Sequence, residues 1–563
     1  MFFEKFSKEV KELVKTTSPD AEKYLEKPKR GFADLALPCF AMAADRKSPV
    51  ELASELSGKM LAKRSESPKK FGLVGEIKPE GPYINFFADK KEIADYVLKT
   101  AFEKHKRTGK TVLIEHTSIN PNASPHVGRS RNAVIGDSIR RLYEYLGYKT
   151  EIHYYVNDIG KQIAVLVLAC SSQPEEIKFE KMLETYVRVN EEMKKNPDIE
   201  QKALEMLNSL EHGDKKTAEL FKRVVKTCVD GQRRIMEKEL GVHYDHFDYE
   251  STYVFGGHTE RLLKQLEKTG KLFTDENGRK VLDLSEFDLA MKEKVFVMTR
   301  ADGTSLYGTR DICYNIDKIR RSKNGANIVV LGEDQKLYSQ QVAASLKLMG
   351  YKPPEVVHYS FILLPTGKMS TRSGNVVLLE DFMKEARSRA FEEIEIRHPH
   401  LTQKEKETRA RMIALGAVRF SIIRVSPDKN VLFNLAEALS FEGDTGPYVQ
   451  YTHARACSIL KKAKTSKKKF KGKQIIEYTE DEFAIIKKIA EFPELVERCS
   501  VELKPYQVAQ YLIELAGMFN EYYHHTQVIG SDNETARLKI VEAIRTVIKS
   551  GLYILGIDAP EEM

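Results

Sequence analysis

From Thr111 onward short apolar runs alternate with amphipathic helices, and that alternation restricts the chain to few architectures. The runs are TVLIEH, EIHYYV, KVFVMTR, ANIVVLG and EVVHYSFILL. Each has strand length and no helical period. Behind the first, AVIGDSIRRLYEYLGY places Val134, Ile135, Ile139, Leu142, Tyr143 and Leu146 at helical spacing. Strands alternating with helices imply a parallel sheet with helices on its faces, the α/β class. Between EIHYYVND and KVFVMTR lies a charged, mostly helical insertion of about 130 residues, at about 160–290, too long for a simple crossover.

The flanks read differently. Residues 1 to about 107 suggest a small α+β domain, a helical start leading through GFADLALPCFAMAADRKSPVELASELSGKM to the strand-like GPYINFFAD. After about Asp428 the strands are expected to stop. GPYVQYTHARACSILKKA, PYQVAQYLIELAGMFNEYYHHTQ and ARLKIVEAIRTVIKSGLYILGI follow as helix after helix. The expected division is therefore 1–107, 108–428 and 429–563. A chain of 563 residues also exceeds what one hydrophobic core supports.

Composition excludes several classes. Apolar and charged fractions of 42% and 31% suit a folded globular protein. No apolar stretch approaches the roughly 20 residues of a membrane span. MFFEKFSKEVKELV lacks signal-peptide architecture, so a cytoplasmic protein without a membrane partner is expected. Six cysteines stand singly, with no CxxC pair. They are expected to be reduced and buried, and no metal-ligating set is expected. A net charge of +8 is too mild to imply nucleic acid by itself. Lys461 to Lys473 carries eight lysines in thirteen residues, which suits an exposed loop near phosphates or a merely solvated one.

Two segments carry the chemistry. SINPNASPHVGRSRN, Ser118 to Asn132, sits where the first strand turns into its helix. A helix N-terminus has free amides and a positive partial charge, which makes it an anion site. Gly128 permits close backbone approach there, Pro121 and Pro125 stiffen the entering loop, and His126 and Arg129 stand one turn apart. FILLPTGKMSTRSGNVV, Phe361 to Val377, is a strand followed by a loop in which Lys368 and Arg372 stand among Gly367, Ser370, Ser373 and Gly374. Such a loop can close over a polyphosphate. Alone, His126 could be an ordinary loop histidine and the second segment a surface turn; together they point to nucleotide chemistry.

With HVGR (His126 to Arg129) after the first strand and KMSTR (Lys368 to Arg372) after the last, the chain resembles the class I aminoacyl-tRNA synthetases. RNAVIGDSIRRLYEYLGYKTEIHYYVNDIG, DGTSLYGTRDI, KMSTRSGN and GPYVQYTHAR make it similar to the arginyl-tRNA synthetases over nearly its whole length. The resemblance implies a Rossmann-like catalytic domain, an additional N-terminal tRNA-binding domain and an all-α anticodon-binding domain. It implies activation of L-arginine by ATP with Mg²⁺, transfer to tRNA(Arg), a first step that needs bound tRNA, and a monomer. His126, Arg129, Lys368 and Arg372 would be catalytic, and Gly128, Met369 and Ser370 would join His126, Arg129 and Lys368 around ATP. Two positions depart from the family pattern: Arg129 replaces the final His of the HIGH motif, and Thr371 the second Lys of the KMSKS loop.

The arginine pocket can also be argued from chemistry. A guanidinium is a permanently charged fork of donors and needs carboxylate and carbonyl-type acceptors. Glu115 ends the first strand, Tyr307 and Asp311 stand four apart, and Gln335 opens a helix after ANIVVLGED. The resemblance assigns Glu115, Tyr307 and Asp311 to the guanidinium, Ser118, Asn120 and Gln335 to the backbone end, and Arg129 to the same ligand. The alternatives are that Glu115 bridges to a basic neighbour, Asp311 pairs with Arg310 on a helix surface, and Gln335 only starts its helix. For tRNA the candidates are Tyr448, Tyr451, His453 and Arg455, with Tyr522, Tyr523, His524 and His525 on another helix, and Lys29 and Arg30 within KPKRGF. A small-molecule nucleotidylyltransferase and a non-catalytic tRNA-binding relative remain open as rivals.

Overall fold

The computed structural model describes residues 2–28, 33–42, 48–100, 106–171, 177–323, 325–363, 377–465 and 477–563. Five strands form one wholly parallel sheet: β1 (Thr111–Glu115), β2 (Lys149–Val156), β3 (His246–Tyr249), β4 (Asn327–Gly332) and β5 (Glu355–Tyr359). Their order is β3-β2-β1-β4-β5. The direction of winding reverses between β1 and β4, and the crevice at the carboxyl ends there is where such sheets bind ligands. Central strands are nearly unbroken apolar runs because both faces are covered. Helix α1 (Val127–Tyr145) packs on one face; α2 (Lys215–Leu240) closes the insertion; α3 (Tyr307–Ser322) covers the other face, and α4 (Lys336–Leu348) follows β4.

Three expectations are corrected. KVFVMTR is not in the parallel sheet: Val295–Val297 pairs antiparallel with Lys280–Asp283, which pairs with Leu272–Thr274. Its apolar residues Phe296 and Met298 belong to a separate core cluster with Leu282, Leu284 and Ile312. The fifth parallel strand is HFDY, inside the supposed insertion, which it divides. An edge strand bonded on one side and partly exposed needs no apolar run, so it left no period to read. Strands also do not stop at Asp428, since Val431–Leu432 pairs in parallel with Ile362–Leu363. The apolar run EVVHYSFILL thus serves two sheets.

The first residues form a three-stranded antiparallel sheet, Leu35–Pro38, Tyr83–Ala88 and Val74–Glu80 in that order, with helices Phe2–Thr17, Pro49–Glu66 and Lys90–Thr100. At the other end α5 (Gln403–Ile423), α6 (Gly446–Thr465), the helix Glu480–Glu502, α7 (Tyr506–His525) and α8 (Glu534–Ile554) make an all-α body. All six cysteines are free, five of them buried. Among the described residues no helix is long and apolar enough to cross a membrane.

Candidate active site

β1 ends abruptly. Past Glu115 and the buried His116, Thr117 and Ser118 adopt left-handed backbone with φ of 72° and 41°, unusual for residues with a side chain. Side chains from other elements hold the corner. Thr117 N–H donates to Asn132 Oδ1 at 2.6 Å, and Asn132 Nδ2 donates to the Val330 carbonyl on β4 at 2.9 Å. Ile119 N–H donates to the Tyr154 hydroxyl at 3.1 Å, and that hydroxyl lies 2.9 Å from Gln232 Oε1 on α2. Gln232 Nε2 donates to the carbonyls of Asn120 at 2.9 Å and Ala123 at 2.8 Å. One buried amide from the insertion therefore fixes the loop that carries HVGR.

That loop delivers its residues to a cleft of about 480 Å³ at the switch point. Asn120, His126, Gly128 and Arg129 line it, facing Asp334 from beyond β4 and Tyr359 at the end of β5. His126 is the N-cap of α1 without a side-chain cap bond. The first helical amide, of Val127, donates to the Val377 carbonyl at 3.0 Å, so the open anion site starts at Gly128. His126 Nδ1 is buried without a partner. Burial and then Arg129 push the His126 ring down to about 4, which favours the neutral imidazole. Among the described residues Arg129 makes no ion pair, although the cleft wall carries Asp334.

On the α3 side of the sheet carboxylates collect. Glu115 makes a buried ion pair with Lys318, so it does bridge to a basic neighbour. Asp311 accepts from Tyr338 OH at 2.9 Å and Asn315 Nδ2 at 3.0 Å, and burial followed by Glu115 pushes its carboxyl up to about 6. Arg310 does not pair with Asp311; it meets Glu250 at 3.2 Å, both buried. Burial drives the Glu250 carboxyl up to about 8 against the pull of Arg310. Asp158, raised by burial, accepts from Ser251 N at 2.9 Å and Oγ at 2.6 Å. Four carboxyl groups thus cluster around two cations, and burial holds Asp311, Glu250 and Asp158 towards their neutral forms, so a cationic ligand would favour their ionisation. Tyr155 and Tyr314 stack at 4.5 Å, and Tyr307, 58% exposed at the start of α3, leans on Tyr338 at 5.1 Å.

Of the other expected residues, Ser118 Oγ accepts from Tyr155 N–H at 3.1 Å, and Asn120 Nδ2 donates to Gln162 at 3.1 Å. Gln335 is the exposed N-cap residue of α4 and does not line the cleft, whereas its neighbour Asp334 does. Lys368, Met369, Ser370, Thr371 and Arg372 lie outside the described residues, as do Lys29 and Arg30 and most of the lysine loop. Asp158 and Glu250 were missed, yet each stands one or two residues past a strand end, where this fold keeps its chemistry. Recognising β3 as a strand would have nominated Glu250. Gln232, mid-helix, carried no such signal.

On the all-α body Tyr448, Tyr451 and Arg455 open on a cleft of about 490 Å³ with Phe441, Asn520 and Met563. Arg455 lies 4.7 Å from the Tyr451 ring and 5.7 Å from that of Tyr523, and donates to Asn520 Oδ1 at 2.5 Å. His453 is corrected: it is 1% exposed and its Nδ1 lies 2.8 Å from the Pro560 carbonyl. On a helix it cannot share the face of 448, 451 and 455. Tyr522 is likewise core, its hydroxyl 3.0 Å from Glu482.

A winding of β3-β2-β1-β4-β5 with an HVG corner at its switch point defines the catalytic domain of a class I aminoacyl-tRNA synthetase. Residues 93–435 match the family model described as "tRNA synthetases class I (R), catalytic domain". Residues 449–563 match the DALR anticodon binding domain, and residues 3–88 the arginyl tRNA synthetase N-terminal domain. An arginine–tRNA ligase of Methanothermobacter thermautotrophicus is 40% identical over 97% of this chain and 96% of its own. That of Methanocaldococcus jannaschii is 38% identical over 93% of each. The arginyl-tRNA synthetase of Thermus thermophilus superposes with a TM-score of 0.79 at 30% identity, over 100% and 99% of the two chains. The chain belongs to the arginyl-tRNA synthetase family, and its activity is the ATP-dependent ligation of arginine to tRNA in protein synthesis.

Proposed function

We propose that the reaction runs in two steps on the residues named above. An arginine carboxylate oxygen attacks the α-phosphorus of ATP, and the bond to pyrophosphate breaks. A terminal ribose hydroxyl of tRNA(Arg) then attacks the activated carbonyl, and AMP leaves. Neither step needs a protein nucleophile, so catalysis is positioning and charge stabilisation. Neutral His126 donates a hydrogen bond to the reacting phosphate, the Gly128 amide and Arg129 oppose its growing negative charge, and Lys368 and Arg372 close over the polyphosphate. Arginine lies between Asp311, Glu115 and Tyr307, with Ser118 and Asn120 towards its backbone end. The observation that carries this reading is the cluster of buried carboxyls, Asp311, Glu115, Glu250 and Asp158, with two cations among them: a pocket that disfavours its own ionisation suits a cationic ligand.

The single carboxylate on the cleft wall, Asp334, suits Mg²⁺, which is commonly held by one or two carboxylates together with substrate phosphates. Bound with ATP, it would neutralise phosphate charge. Tyr451, Arg455 and Tyr523 offer faces for splayed anticodon bases. The enzyme acts as a cytoplasmic monomer, with functional parts meeting near residues 107 and 428. Pyrophosphate exchange across all twenty amino acids, with and without tRNA(Arg), tests the proposal. Exchange with arginine alone, and only with tRNA present, is expected; exchange with another amino acid, or none, refutes it.

A further inference from the structure

At the edge of the sheet, on the face covered by α3, three side chains converge that the reaction does not use. Glu151 and His153 stand two apart on β2 and so share a face, and His246 on β3 pairs directly with His153. One potential ligand atom from each lies within 4.8 Å of the other two. We propose that Glu151, His153 and His246 form a site for a divalent transition-metal ion, Zn²⁺ by the chemistry of its ligands, separate from the ATP and arginine sites.

His153 carries the argument. It is 0% exposed, and its Nδ1 lies 2.6 Å from Asp248 Oδ2. Asp248 also takes Tyr314 OH at 3.0 Å and Arg321 at 3.3 Å. A carboxylate so placed accepts the imidazole proton on Nδ1 and leaves Nε2 as a bare lone pair. That Nε2 is buried and has no partner. An unmet buried acceptor is unfavourable, and a metal ion would satisfy it. Metal-bound histidines commonly have this support, a carboxylate fixing tautomer and ring orientation through the other nitrogen.

The donor set selects the ion. Two imidazoles and one carboxylate, with a fourth position open to water, are a zinc set, and no thiolate is needed. The expectation of no metal-ligating set rests on cysteine spacing, which does not bear on an imidazole–carboxylate site, and the proposed site departs from it. A tetrahedral ion about 2.0–2.1 Å from nitrogen sets its ligand atoms roughly 3.3 Å apart, so the three groups must draw together. Two of them are free to do so. His246 is exposed, its ring stacked on His153 at 4.7 Å, and among the described residues Glu151 is held only by the exposed Lys149 at 3.3 Å. The cations of α3 that face the site do not oppose it, since Lys318 is paired with Glu115 and Arg321 with Asp248. An ion there would tie the edge strand β3 to β2 and brace the strand register that runs on from His153 to Glu115.

The test uses the full chain without a histidine tag, stripped with chelator and titrated with Zn²⁺ alone. One equivalent should bind, raise the melting temperature and survive dialysis. Co²⁺ in its place should give the visible absorption of a four- or five-coordinate ion. His246→Ala and Glu151→Gln change surface-facing ligands and should leave tRNA charging intact while weakening Zn²⁺ roughly tenfold to hundredfold or more each, with loss in the double variant. No zinc bound by the parent, or equal stoichiometry and affinity in the parent and the double variant, overturns the site.

Discussion

Asp311→Asn separates the cost of the empty pocket from its value to the substrate. The Asp311 carboxyl stands at about 6 against an ordinary 3.8, through burial and then Glu115. That displacement corresponds to roughly 3 kcal/mol of charge held unfavourably without ligand. Because the folded value is raised, ionised Asp311 lowers stability above about pH 6, and the cost is absent below the unfolded value. The amide removes the charge and keeps the shape, so the unliganded variant should melt no lower than the parent at neutral pH. It also loses the charge-assisted bond to the guanidinium, worth roughly 1.5–3 kcal/mol, so KM for arginine should rise about tenfold to over a hundredfold. KM for ATP should hold. In the parent, kcat/KM for arginine should fall tenfold per unit below about pH 6 and level off above it, since the ionised form binds; the variant should be flat there. Steady-state charging against arginine between pH 5 and 8, with calorimetry of the free enzymes, reads both. An unchanged arginine KM, or the same acid limb in both proteins, refutes the reasoning.

Gln232→Leu strips two carbonyls, one buried and one part-buried, of their donor and should cost roughly 2–4 kcal/mol of stability while lowering kcat, read by melting and adenylation rate; an unaltered kcat would show that the corner needs no such bracing. Tyr451→Ala should raise KM for tRNA about tenfold or more with arginine KM unchanged, since a base–aromatic stack is worth roughly 1–3 kcal/mol; parental tRNA KM would remove this cleft from the anticodon interface. The lost loop lysine at Thr371 and the gained cation at Arg129 suggest that one substitutes for the other. A cycle of Arg129→His and Thr371→Lys should then show Arg129→His slowing adenylation about a hundredfold alone and much less beside Lys at 371, whereas additive effects sink the compensation.

What was legible in the sequence was whatever had a period or a fixed place. β1, β2, β4 and α1 announced themselves because a doubly covered strand must be apolar throughout and a helix packed on a sheet must repeat its apolar face. HVGR was nominated by its place after the first strand, and Asp311 by the chemistry a guanidinium needs, its spacing from Tyr307 and the family resemblance. β3 was not, since an edge strand reading HFDY buries too little to need a pattern, and KVFVMTR was apolar for a different core. His453 shows the opposite failure, a residue type suited to RNA whose helical phase turns it inward. The bracing of the corner was invisible in principle: Gln232 and Asn132 meet their partners only after the insertion and β4 have been laid beside β1, and no local composition encodes that.

The same kind of long-range polar bracing joins the signature helix to the all-α body. Arg419, on α5 and fully buried, donates to Asp137 Oδ2 at 2.6 Å, to the Leu240 carbonyl at 2.7 Å and to the Leu555 carbonyl at 2.9 Å. Leu240 is the last residue of α2 and Leu555 follows α8, so both carbonyls belong to helix ends with no acceptor-satisfying turn beyond them, where a cation is also favoured by the helix dipole. Asp137 takes Arg140 and Arg141 as well, each at 2.8 Å. Gly556, with φ of 70°, lets the chain pass: a Cβ there would stand 2.1 Å from the guanidinium. Burying such a pair yields little net stability, but leaving one member unpartnered costs about 3–5 kcal/mol. The arrangement therefore penalises any placement of α2, α5 or α8 other than this one. Asp137 lies about three turns along α1 from His126, so Arg419 ties the helix that carries the HVGR corner to the ends of α2 and α8.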